Sequence, residues 1–248
     1  MKREKNKKHV KLIPLYMVVL LVCITGVIFL TLKFANEKAH TSSSPNKTST
    51  PTQTPTVQGT AFPLFSDDFS DNSKGWSVVN VSGYRRTLHS GVLTLSSTTH
   101  NVLVESIPTR TTFTNFSLTT SFTLVQGDKN DSVGLYLRGD SNLDHDYRID
   151  IFGNNMYAIS KEALDGSDGL EQTFLVHRTH TKQLHSIGQK NTLAVTMNGP
   201  MMAVQINGET ICSLTDTKYT HGQIALFVEN GQTSNGITAK FHNLVIYP

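Results

Sequence analysis

Cysteine and tryptophan are scarce in this chain, two and one respectively among 248 residues. Cys23 falls within an uncharged run, so Cys212 stands alone after residue 60 and that portion can close no internal disulfide. Any fold there must be held by packing. Cys212, in Thr210-Ile211-Cys212-Ser213-Leu214, reads as a small strand residue. After residue 60 there is also no helical stripe longer than about two turns, apart from a short helix expected over 161–164. Gly-x-Ser-x-Gly, His-Glu-x-x-His and glycine-rich phosphate loops are missing, which removes the common hydrolase, zinc-protease and nucleotide-binding signatures.

One more absence is informative: from Leu12 to Leu32, 21 consecutive positions carry no charged side chain. At 1.5 Å per residue a helix of that length reaches roughly 31 Å, close to the ~30 Å of hydrocarbon in a bilayer. No small-x-small site follows in Thr31-Leu32-Lys33-Phe34-Ala35, so an uncleaved anchor fits better than a signal peptide. Lys2, Arg3, Lys5, Lys7, Lys8 and Lys11 precede the run against the single acid Glu4, an arrangement that holds the amino terminus in the cytoplasm. The expected organisation is a basic cytoplasmic tail (1–11), a single transmembrane helix (12–32), a disordered linker (33–60) and an extracellular domain (61–248). Within the linker, 13 of the 16 positions from 41 to 56 are Thr, Ser or Pro, a composition that builds no core and suits a semi-rigid spacer.

Charge is divided in the same way. The whole chain is +3, but 13 Lys+Arg against 17 Asp+Glu from residue 61 onward leave the domain near −4. The basic pI of the chain therefore gives no reason to expect nucleic acid as a partner.

Two-residue alternation dominates the domain. Phe116, Leu118, Thr120, Phe122 and Leu124 alternate with Ser117, Thr119, Ser121 and Thr123, and Val133-Leu135-Leu137, Tyr147-Ile149-Ile151, Leu193-Val195-Met197 and Ile224-Leu226-Val228 repeat the pattern. Asn-Gly recurs at 198, 207, 230 and 235, and the segment 202–211 around Asn207-Gly208 predicts a hairpin. About a dozen such strands predict an all-β, two-sheet antiparallel jelly-roll sandwich.

Several segments carry a resemblance: Phe65-Ser-Asp67-Asp68-Phe69 followed by Gly75-Trp76, Gly134-Leu-Tyr136-Leu-Arg138-Gly-Asp140, Asp146-Tyr-Arg148-Ile149, Ile187-Gly188 with Asn191-Thr-Leu-Ala-Val195, Gln205-Ile-Asn-Gly208, Gly222-Gln-Ile-Ala-Leu-Phe227 and Phe241-His-Asn243-Leu-Val245. In order and spacing they resemble the concanavalin A-like, laminin-G-like jelly rolls, and more narrowly bacterial modules related to the 3-keto-disaccharide hydrolase domain. The resemblance covers nearly all of 61–248 and implies glycan binding in many relatives and hydrolysis in some. His242 stands where relatives often carry Asp, and the strand Phe174-Leu-Val-His177-Arg178 lacks their Trp. These departures touch an inherited calcium site and a sugar-stacking platform.

For carbohydrate, alternation places Tyr136, Arg138, Arg148 and Asp150 on one outward sheet face, with Arg86 and Tyr157 as outer members, an aromatic and polar combination suited to a pyranose. The plainer reading of the same residues is a cross-strand ion-pair ladder. Trp76 is expected in the core. No cofactor is required; calcium is the one ion the residues suggest, through Asp67 and Asp68 beside Asn243 on the last strand. Asp128/Asp131, Asp140/Asp144/Asp146 and Asp165/Asp168 read as solvated turns. His177, His180 and His185 need not converge on zinc. The functional expectation is a membrane-anchored extracellular module that recognises cell-surface or envelope glycans. The alternatives are a glycoside hydrolase, which would need two carboxyl groups meeting in a cleft with one held protonated, and a protein–protein adhesion domain.

Overall fold

The computed structural model describes residues 62–164 and 169–248. The expected tail, span and linker lie outside these residues, as do Asp165 and Asp168. Among the described residues there are fifteen strands and no helix. The larger sheet runs β13 (Glu209–Thr215), β12 (Met201–Ile206), β11 (Lys190–Asn198), β6 (Phe116–Gln126), β15 (Ile237–Tyr247), β4 (Leu93–Ser97), β3 (Tyr84–Leu88), β2 (Val79–Val81), with β1 (Phe65–Asp67) also paired to β15. The smaller sheet runs β10 (Leu170–His180), β9 (Met156–Leu164), β8 (His145–Phe152), β7 (Ser132–Gly139), β14 (Gln223–Glu229), β5 (Val102–Ser106). All named pairings are antiparallel.

Alternation explains the layering. Leu118 and Phe122 of β6, Val195 of β11, Val204 of β12 and Phe241 of β15 face Leu135, Leu137, Ile149 and Leu226 of the smaller sheet in one continuous core. Burying such a side chain is worth about 1.5–3 kcal/mol, and without a disulfide this core carries the fold. Trp76 is 2% exposed and donates its indole N–H to Asp67 at 2.6 Å. The hairpin at Asn207-Gly208 forms with Asn207 at φ 52° and Gly208 at φ 87°, both left-handed as that turn requires. Residues 161–164 form the end of β9 instead of a short helix, because Lys161, Glu162 and Ala163 each pair with a residue of β8 and of β10.

Candidate functional site

The smaller sheet has two faces, and the one turned away from the core is not an ordinary solvated surface. Directly opposed residues of antiparallel strands share a face, so the register builds one row from Ala225, Tyr136, Arg148, Ser160 and Phe174 across β14, β7, β8, β9 and β10. A second row holds Val104, Phe227, Gly134, Asp150 and Ala158, and a third sets Asp146 opposite Glu162 and Glu162 opposite Gln172. Gly134 is required here, since a Cβ would lie 1.8 Å from the Ile149 carbonyl oxygen and 2.8 Å from the Phe227 ring. The space it leaves holds that ring beside Tyr136, centroids 4.9 Å apart.

Arg148 lies over both rings, its guanidinium carbon 4.4 Å from the Phe227 centroid and 5.6 Å from that of Tyr136. It donates to Asp150 Oδ1 at 2.7 Å, to the Tyr136 hydroxyl at 3.2 Å, to Glu162 Oε1 at 3.4 Å and to Glu229 Oε2. Ser132 donates to Asp150 at 2.7 Å, and Gln172 donates to Glu162 at 2.9 Å. One guanidinium therefore serves three carboxylates, with a fourth, Asp146, nearby. Burial alone would lower the affinity of Arg148 for its proton, but Asp150, Tyr136, Glu229 and Glu162 outweigh it and hold the group charged.

Asp146 is different. It is fully buried, and neither carboxyl oxygen has a hydrogen-bond partner among the described residues. Burial, then the charge of Glu162, pushes its pKa up to about 8. Burial raises Glu162 as well, though Arg148 and Gln172 pull against the rise. The pair is thus two opposed carboxyls, one of which keeps its proton at neutral pH.

Of the six residues expected to line a sugar site, Tyr136, Arg148 and Asp150 come together on this face. They are buried, at 5, 5 and 3% exposure, and not the solvent-facing surface that alternation alone suggested. The other three lie elsewhere. A register irregularity opposite Gln223 and Ile224 makes Arg138 the extra residue of a bulge, with φ 52°. Its side chain donates to the backbone carbonyls of Thr114 at 3.0 Å, Gly199 at 2.8 Å and Tyr219 at 3.1 Å, tying three connections together. Tyr157 is opposed to Ile151, belongs to the core and donates to the Ile211 carbonyl. Arg86, on β3 of the larger sheet, pairs with Glu105 at 3.1 Å.

Phe174, Glu162, Gln172, Phe227 and Glu229 complete the face, and no spacing in the sequence marks them as members of one site. Phe174 is 41% exposed at the end of the central row, stacked on His177 with centroids 5.2 Å apart. It is the accessible ring of this face, on the strand that lacks the Trp.

The expected calcium donors are engaged separately. Asp67 accepts from Trp76 and from the Phe69 amide, Asp68 from the Ser70 amide, and Asn243 from the Ser121 amide. His242 contacts Thr123 at 3.0 Å. No group of three or more His, Cys, Asp or Glu suited to a metal ion occurs among the described residues. Asp131 accepts from the amides of Asp128 and Gly231 and from Ser234, which makes its cluster a loop clasp.

The fold defines a class, the two-sheet antiparallel jelly-roll sandwich, and solved structures share it. The carbohydrate binding module CBM66 from Bacillus subtilis is 16% identical with a TM-score of 0.53, covering 70% of this chain and 96% of that one. A Bacteroides ovatus GH16 from a mixed-linkage glucan locus, in complex with an oligosaccharide product, is 12% identical at TM-score 0.54, covering 74% and 99%. The β-glucanase of Bacillus licheniformis is 11% identical at TM-score 0.52, covering 74% and 97%. Within the class, residues 62–246 match the 3-keto-alpha-glucoside-1,2-lyase-like domain, and the chain belongs to that family. None of the curated proteins compared with the chain matches it.

Proposed function

We propose that the domain recognises glycans on the outer face of its smaller sheet and that the chain displays it outside the cell from an amino-terminal membrane anchor. The observation that carries the reading is the central row, in which the exposed Phe174 ring leads to the guanidinium of Arg148 and the hydroxyl of Tyr136, with the Asp150 carboxylate of the adjoining row held against Arg148. A ring offers its face to the C–H side of a pyranose, and prepositioned polar groups receive hydroxyls. Glu229 and Gln172, more open than the floor, form the rim. Family membership and the carbohydrate-associated neighbours support a saccharide over other ligands. The uncharged run 12–32 behind six basic residues supports the anchor.

The test is titration of the full-length protein with gluco-, fructo- and galacto-oligosaccharides by calorimetry. Phe174→Ala and Glu229→Gln should each weaken binding about tenfold. Absence of binding to the whole panel, or binding untouched by both substitutions, would refute this site. For the anchor, the protein should stay with membranes through alkaline extraction, and external protease should reach residues beyond 60.

A second reading has its own observation, the opposed carboxyls of Asp146 and Glu162 with Asp146 protonated at neutral pH. Cleavage of a glycosidic bond needs such a proton donor beside an ionised carboxylate. Release of reducing sugar from the same panel, abolished by Glu162→Gln, would establish it. Binding without any product would set it aside.

A further inference from the structure

A second site lies at the opposite edge of the sandwich, where the two sheets part. The inward row of β4 reads Leu93, Leu95, Ser97; the first two are fully buried in the core, and the third continues the row with a hydroxyl. Opposite them on β3, Leu88, Arg86 and Tyr84 face the same way. Beyond Leu95 and Arg86, the described residues leave space between β3 and the edge strand β5. The result is a groove of about 450 Å³ lined by Ser82, Tyr84, Arg86, Ser97, Thr99, Asn101 and the β5 segment 102–104. That volume lies within the roughly 300–1,000 Å³ of ligand clefts.

We propose that this groove binds an uncharged saccharide segment, independently of the sheet face. Arg86, which would draw an anion if free, is neutralised by the buried Glu105 at 3.1 Å and donates to the Val104 carbonyl at 2.9 Å. Glu105 is in turn held by the Ser77 amide at 2.9 Å. Among the described residues no other charged residue lines the groove, so it selects neither an anion nor a cation. Recognition groups remain. Tyr84 is 38% exposed, with the Arg86 guanidinium carbon 5.8 Å from its ring centroid, and presents a fixed aromatic face. The hydroxyls of Ser82 and Thr99 and the amide of Asn101 can both donate and accept. On β5 only Leu103 turns its side chain to the core side, Val102 and Val104 packing on the Phe227 face, so Leu103 and the strand edge supply the apolar floor for the C–H edges of a sugar ring. A neutral ligand with both a hydroxylated rim and an apolar face is the chemistry these walls complement. This extends the glycan reading to a second place on the domain, and its failure can be told apart from failure of the first.

The experiment titrates the full-length protein with the same neutral oligosaccharides, using Tyr84→Ala and Asn101→Ala beside Phe174→Ala. Tyr84→Ala should weaken one of two binding events about tenfold, and Asn101→Ala should weaken the same event; Phe174→Ala should leave that event in place. Thermal melts check that each variant is folded, and Tyr84→Phe, which keeps the ring, should retain affinity. Binding lost only through Phe174→Ala overturns the groove and leaves the sheet-face site standing. Binding lost only through the groove substitutions supports the groove and overturns the sheet face. Preference for sulfated or amino sugars at the groove would also overturn the proposal.

Discussion

Asp146→Asn tests the electrostatics of the sheet face most sharply. In the folded protein the Asp146 carboxyl titrates near 8, against 3.8 for the free side chain, so the native state keeps a proton that the unfolded chain releases. Stability from this group is complete below about pH 4 and is lost as pH rises toward about 8, at about 1.4 kcal/mol per pH unit. Between about pH 5 and pH 8 the loss is about 4 kcal/mol. Asp140 and Asp216, whose pKa values are lowered, finish titrating below this window, so their stabilisation is already in place. Burial lowers the His242 imidazole pKa, which works the other way within the window, but the term is common to both proteins and cancels in their difference. The asparagine carries no charge at any pH, although its buried amide needs partners and costs about 1–3 kcal/mol if they are lacking. The expected result is a variant less stable than, or equal to, the parent at about pH 5 and more stable by about 1–4 kcal/mol at about pH 8. Urea unfolding of both proteins across this range reads the difference directly. Parallel stability curves would show that Asp146 is ionised throughout, and the reasoning would fail.

Arg138→Ala should destabilise the fold by about 3–5 kcal/mol because three loop carbonyls lose a charged donor; saccharide affinity of the folded fraction, read by calorimetry, should stay within about twofold. Lysine at the same position should recover little, since an ammonium cannot reproduce the planar fork. Gly134→Ala should cost at least about 2 kcal/mol in denaturant unfolding by pushing a methyl group into Phe227 and the Ile149 carbonyl. A neutral outcome for Gly134→Ala would mean that β7 and β14 pack less tightly than described.

The layers of the sandwich were legible because one physical signal, alternation against a buried face, repeats along β6, β7, β8, β11 and β14. The hairpin at Asn207-Gly208 was legible for an equally local reason, its need for positive φ. What alternation could not convey is which strands become neighbours. Asp146 and Glu162 are opposed only through the β8–β9 register, so their pairing appears in neither strand alone. Arg138 looked outward because a bulge shifts the phase of β7 at its end, and one extra residue leaves no mark in the spacing. Pointing away from the core is not the same as facing water, because rings, guanidinium and carboxylates cover one another around Arg148. Phe174 takes the exposed end of the row through its place opposite Ser160, a position that its own strand does not mark.

Saccharide binding at the face around Phe174, Tyr136, Arg148 and Glu229 is read directly by chemical-shift mapping of isotope-labelled full-length protein titrated with the tightest-binding neutral oligosaccharide. Perturbations should concentrate on β8, β9, β10 and β14, with a second group around Tyr84 and Asn101. Perturbations confined to the outer surface of the larger sheet, around β6, β11 and β15, would contradict it.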